Sequence, residues 1–195
     1  MNLLFSNKVS KNFANKVISI SNELDIDASW LMFLMDWESA GTFRASIENS
    51  FGCIGLIQFC PSHLGADYKT IGGVQYKMSI IKAMTPEAQL DLVEDYLKEV
   101  QGSGKFPDYH QLYFAILFPE AKGKPDDYVL NTKSNPIFDI NKNGSITVGE
   151  VKQYLDNRVR EKVPQSYWNT FFKKKTSFSS IKEKLYSGEQ LELVS

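Results

Sequence analysis

A single carboxylate at the end of an apolar helix is the feature of this sequence best placed to do chemistry. The stretch Trp37-Glu38-Ser39-Ala40-Gly41-Thr42-Phe43 closes a run that carries Trp30, Leu31, Leu34 and Met35 at helical spacing. Counting back four and seven residues from Glu38 gives Leu34 and Leu31, so its side chain leaves the helix on the apolar face. Gly41 marks the stop, which puts Glu38 in the last turn, beside the negative end of the helix dipole. Apolar surroundings and the dipole both disfavour the anion. Each raises the pKa, as a general acid requires to keep its proton near neutrality. The same pattern also describes an amphipathic helix whose terminal glutamate reaches solvent, and the helix alone leaves the two readings open.

A second set of oxygen-bearing residues lies far downstream. Asp139-Ile140-Asn141-Lys142-Asn143-Gly144-Ser145-Ile146-Thr147-Val148-Gly149-Glu150 fits the twelve-residue EF-hand loop. Asp139, Asn141, Asn143 and Glu150 fall at ligand positions 1, 3, 5 and 12, Gly144 at the sharp turn, and Ser145 where a backbone carbonyl is used. Calcium is the expected ion. Only Asp139 and Glu150 are anionic, so the expected affinity is modest, roughly 10⁻⁴–10⁻³ M. Pro136 shortens the entering helix and no second loop is present to pair with. The pattern therefore predicts a structural calcium that staples the C-terminal region, and no cofactor for the chemistry itself.

The elements that must position these residues read mainly as helices. Phe13, Val17, Ile20 and Leu24 form one stripe, and Asp27 caps the helix that ends at Glu38. Residues 40–82 are rich in Gly, Ser and Asn and predict loops with a short hairpin or helical turns. Thr85-Pro86 opens a helix through Leu90, Val93, Leu97 and Val100, and Asp108 caps another over 109–118, stopped by Pro119. The polar stretch 122–136 is the expected module boundary. A helix over 148–162 follows, then an aromatic-rich tail, 167–186, with two short helices expected.

Cys53 and Cys60 are seven residues apart and would bridge only if the chain between them folds back; they read as two buried free thiols. His63 and His110 have no recognisable partners, and Lys173-Lys174-Lys175 reads as a solvated charge run. A net charge of −1 offers no electrostatic footprint for nucleic acid, and no apolar run approaches a membrane span. The N-terminal MNLLFSNKVS lacks the apolar core of a signal peptide.

Beyond Glu38 the chain continues Ile47-Glu48-Asn49-Ser50, then Gly55-Leu56-Ile57-Gln58-Phe59-Cys60-Pro61. With Glu38-Ser39 and Phe43, these residues resemble the lysozyme-like lytic transglycosylases, which carry a Glu-Ser pair at a helix end, an Asn/Ser loop and then Gly-Leu-Met/Ile-Gln-Phe. The motifs occupy residues 37–61 and the resemblance extends over about 10–120. It implies a lysozyme-like helical domain at 1–125, followed by a small helical module at 126–195 carrying the EF-hand-like loop. It implies that Glu38 protonates the glycosidic oxygen and then acts as base, with Ser39 and Ser50 near it. Gln58 would line the sugar cleft or pin its loop. The family's Ala-Tyr-Asn motif is missing: the corresponding helix reads Leu112-Tyr113-Phe114-Ala115, where Tyr113 stands in for the family tyrosine or is a core residue.

No second carboxylate is fixed by spacing. Asp36 points to another helix face, and Glu48 and Asp67 lie on loops. The resemblance implies instead that the substrate's acetamido oxygen and 6-hydroxyl complete the reaction, giving a 1,6-anhydro end, or that water attacks, as in a lysozyme. The implied partner is the peptidoglycan strand. The implied route is cytoplasmic synthesis with delivery to the periplasm or wall by a phage or secretion apparatus. The alternative from another class is a non-catalytic wall-binding or calcium-dependent structural protein of such an apparatus.

Overall fold

The computed structural model describes residues 3–131 and 135–172, and these are mainly α, with seven α-helices and one two-stranded sheet. Each long helix starts where the sequence supplies a cap. In α1 (Lys11–Glu23) Ser10 Oγ accepts from the Phe13 N–H, and in α2 (Ala28–Glu38) Asp27 accepts from the Ser29 N–H. The hairpin strands β1 (Tyr68–Ile71) and β2 (Val74–Lys77) run straight into the short α3 (Met78–Ala83). Gly72 and Gly73, at φ 57° and 78°, make the two-residue turn between the strands, a conformation that costs side-chain-bearing residues far more. Thr85 caps α4 (Pro86–Gln101), and Asp108 caps α5 (Tyr109–Leu117). Finally α6 (Val148–Lys162) opens with a reciprocal capping box between Thr147 and Glu150, and α7 (Trp168–Phe172) closes the described chain.

The sequence pattern places one apolar face on α2, but every residue from Ser29 to Met35 is buried. The helix runs through the centre of the molecule, with α1, α5 and α7 against it. A helix apolar on all sides is stable only when neighbours cover all of it. This central placement is what lets the last turn of α2 present a carboxylate against protein rather than water.

Residues after 125 share the same apolar core. Phe33 of α2 meets Phe171 at 5.5 Å, Trp37 meets Tyr154 of α6 at 5.8 Å, and Phe118 meets Phe138 at 5.5 Å, each edge to face. Polar contacts join the same elements: Tyr109 donates its hydroxyl hydrogen to Asp156 of α6, and His110 Nε2 stands 2.7 Å from the same carboxylate. The core is continuous across the 122–136 stretch. Of the aromatic tail, a single 3₁₀ turn at Gln165–Tyr167 and α7 are seen; the rest of the expected helices, and Lys173-Lys174-Lys175, lie outside the described residues. No described helix is long and apolar enough to cross a membrane.

The cysteine reading is corrected. Cys53 and Cys60 form a disulfide, with Cα atoms 3.9 Å apart. Ile54 and Phe59 exchange both backbone hydrogen bonds, at 3.0 and 2.8 Å, so the chain between the cysteines folds back on itself. Gly55 (φ 87°) and Gln58 (φ 54°) carry the reversal. Sequence separation alone does not reveal that bend.

Candidate active site

Glu38 is half-buried, and its Oε1 is wholly buried without a hydrogen-bond partner. Loss of water with nothing in exchange pushes its pKa up from 4.5 to about 7. Tyr113 of α5 stands nearby. Its ring lies edge to face with Trp37 at 6.5 Å, and its hydroxyl is likewise buried without a partner. Burial raises the Tyr113 pKa well above the ordinary phenol value, and the charge on Glu38 adds to the rise. The floor of the site thus holds two buried polar groups that the fold leaves unsatisfied. Of the four such side-chain groups among the described residues, these two lie close enough for the charge on Glu38 to act on Tyr113.

The chain directly after Glu38 is fixed by Ser39. This serine is fully buried, its Oγ accepts from the Phe43 N–H at 2.9 Å, and its carbonyl accepts from Thr42 Oγ1 at 2.7 Å. Ala40, Gly41 and Phe43 all have positive φ, so the helix is stopped abruptly. Phe43 is held in this costly conformation by Ser39 and by its ring contacts with Phe5 and Phe13. Ser39 therefore builds the turn that presents Glu38, with its hydroxyl already engaged.

The loop carrying the second motif is a compact unit. Asn49 Oδ1 accepts from the N–H groups of Phe51 and Cys53, which leaves Ser50 exposed at the tip. The disulfide and the Ile54–Phe59 pairing close the stretch between. Gln58 Nε2 donates to Gly55 O at 3.2 Å, and the residue also lines a recess of about 80 Å³ with Ile57, Phe59 and Tyr96. The bond to Gly55 O ties Gln58 to its own loop, and the recess it lines does not include Glu38. Glu38 Oε1 takes no hydrogen bond from Ser39, Ser50 or Gln58.

The residue that anchors this loop was missed by the motif reading. Gln89 of α4 is fully buried, accepts from the Leu56 N–H at 2.7 Å, and donates to the carbonyls of Ala45 and Ile81, both at 3.0 Å. A Cβ at position 55 would stand 2.1 Å from Gln89 Oε1, so glycine there admits the amide. The available signal was a glutamine four residues before Val93, on the buried stripe of α4.

Two of the three other carboxylates considered for a two-acid reaction are engaged elsewhere. Asp36 pairs with Lys8 at 2.6 Å and Glu48 with Lys82 at 2.5 Å. Asp67 contributes its backbone carbonyl to the Met78 N–H.

At residues 139–150 the side-chain oxygens are gathered by the loop's own amides. Asp139 accepts from the N–H groups of Asn143 and Gly144, Asn141 also accepts from Asn143, and Asn143 accepts from Ser145. Glu150 reaches back to the Asn141 N–H at 3.3 Å. Gly144 has φ 83° with open space around it. The donor set is two carboxylates, two amide oxygens and a backbone carbonyl, hard oxygens suited to calcium. Among the described residues no group of three or more His, Cys, Asp or Glu gathers. Residues 128–130 pair with the end of this loop: Leu130 N–H donates to Ile146 O at 2.8 Å and Val148 N–H to Tyr128 O at 3.0 Å.

No protein-family model, no curated protein and no solved structure matches this chain.

Proposed function

We propose that this chain cleaves the β-1,4 bond between N-acetylmuramic acid and N-acetylglucosamine in peptidoglycan, on a lysozyme-like helical scaffold, with Glu38 as acid and then base. The observation that carries the reading is the desolvated, unpartnered Glu38 carboxyl, held at the abrupt end of a buried helix. Its pKa of about 7 keeps it protonated in mildly acidic to neutral conditions, as the first step requires.

Glu38 gives its proton to the glycosidic oxygen as the C1–O bond breaks. With Asp36 and Glu48 held as counter-ions, the substrate's own acetamido oxygen attacks C1 and replaces the second carboxylate. The Glu38 carboxylate then takes the proton from the 6-hydroxyl as that oxygen closes on C1, giving a 1,6-anhydro end. Water in place of the 6-hydroxyl gives a reducing end.

Calcium enters this reading as a structural ion of the 139–150 loop, held by Asp139, Asn141, Asn143, Glu150 and the Ser145 carbonyl. Delivery to the wall would fall to a phage or secretion apparatus. The test is mass spectrometry of fragments released from purified peptidoglycan by wild type and Glu38→Gln, with and without chelator. Anhydro or reducing-end fragments from wild type alone are expected. Failure of folded wild type to release either from several wall types sinks the reading.

A further inference from the structure

A cleft of about 470 Å³ opens beside the end of α2, on the side of that helix that carries Asp36 and Trp37. Its apolar lining is Phe5, Phe33 and Trp37; its charged rim is Lys8, Arg158 and Lys162, with Asp36 the one acid in the lining. Asp36 is already neutralised by Lys8 at 2.6 Å. Arg158 lies over the Trp37 ring, 5.0 Å from its centroid, and its Nη1 pairs with Glu161 at 2.8 Å, while its Nε has no hydrogen-bond partner. Lys162, one turn further along α6, is exposed with no ion pair among the described residues. Of the three cations of the rim, Lys162 is the one with no ion pair among the described residues, and it stands above an aromatic floor. That combination suits a carboxylate attached to an aliphatic chain better than a bare inorganic anion.

The cleft also includes Ala40 and Gly41, in the turn two and three residues after Glu38; Glu38 itself does not line it. Taking the peptidoglycan reading as its basis, we propose that the cleft is a subsite for the peptide stems that branch from the glycan. In it Lys162 and Arg158 hold a stem carboxylate and Trp37, Phe33 and Phe5 hold the aliphatic part. A chain of net charge −1 has no global attraction for an anionic polymer, and a local cationic cleft supplies it where it orients the strand.

The experiment is calorimetric binding of a free tetrapeptide stem, its fully amidated form and inorganic phosphate to the full chain, wild type, Lys162→Gln and Arg158→Gln. Turnover is measured in parallel on glycan strands with stems and on strands stripped of them by an amidase. The expected result is stem binding at least fivefold tighter than the amidated peptide or phosphate, and at least fivefold weaker in each variant. KM should rise in the variants on stem-bearing strands only, with kcat held. Lys162 is exposed, so its variant separates lost binding from lost folding. Equal binding by wild type and Lys162→Gln overturns the proposal, and so does phosphate binding as tight as the stem. Absence of turnover on both strands sinks the glycosidase reading instead, and the binding measurement still decides the cleft.

Discussion

Glu38 and Glu150 are both glutamates at the end of a helix, yet the fold gives them opposite electrostatic surroundings. Glu38 closes α2 at the negative end of the dipole, with Oε1 buried and no donor offered to it. Glu150 stands in the first turn of α6, at the positive end, and receives hydrogen bonds from the Thr147 N–H, the Thr147 hydroxyl and the Asn141 N–H. Burial alone would push Glu150 up, but these donors outweigh it and hold its carboxyl below the ordinary range. Burial with no donors pushes Glu38 to about 7. A carboxyl kept neutral can give a proton; one kept anionic can hold a cation. The two regions also touch through side chains, because Phe138, just before the loop, meets Tyr154 at 5.0 Å, and Tyr154 meets Trp37, the neighbour of Glu38.

The sharpest way to break this comparison is Glu38→Gln. Activity should fall about 10²–10⁴-fold, the usual contribution of a general acid. Stability should move the other way, and the sign depends on pH. Because the folded-state pKa is raised, Glu38 binds its proton more tightly in the native state than in the unfolded chain. Its contribution is fully favourable below the ordinary value of 4.5 and is lost as pH rises through about 7. Thermal unfolding should therefore show Glu38→Gln gaining on wild type by on the order of 3 kcal/mol at pH 8 relative to pH 4. A stability difference independent of pH would show that the carboxyl is ordinarily solvated.

The counterpart at the other site is calcium. At a hundredfold excess over Kd, calcium should add roughly 2–3 kcal/mol to wild type and nothing to Asp139→Asn, read as a shift in unfolding midpoint against chelator. Magnesium, which prefers a more rigid octahedral shell, should add less. An unchanged midpoint would reduce the loop to a turn held by its own amides. Reduction, or Cys53→Ser, opens an eight-residue ring and should cost about 2 kcal/mol, measured by unfolding with and without reductant.

Much of the fold was legible because helices announce themselves locally. Asp27, Thr85 and Asp108 cap the helices that follow them as expected, and α6 spans the predicted 148–162. Glu38 was legible for the same reason, since its position on the apolar face follows from spacing. What escaped is what depends on distant segments. Gln89 meets Leu56 across 33 residues, and Tyr154 and Arg158 reach Trp37 from α6. The disulfide escaped too, because it follows from a chain reversal that neither cysteine encodes. Ser39 was legible as a motif residue, but its engagement with Phe43 required the turn to be seen.

Tyr113→Phe is the finest test, because it asks whether the second unsatisfied group is idle. The hydroxyl is buried, has no partner, and lies where it senses the charge on Glu38. Burying an unpaired hydroxyl is unfavourable, so its removal from a ring that keeps its packing against Trp37 should stabilise the protein by about 1 kcal/mol. If the hydroxyl were only a core defect, turnover would be unchanged. Unsatisfied polar groups kept at a site trade stability for activity, and here the group the hydroxyl would act on is the Glu38 carboxylate left when its proton is given up. The expected outcome is thus a higher unfolding midpoint together with a turnover lowered about tenfold, on the order of 1.4 kcal/mol of lost transition-state stabilisation. A stabilised variant with full turnover would leave Glu38 as the single working group of the site.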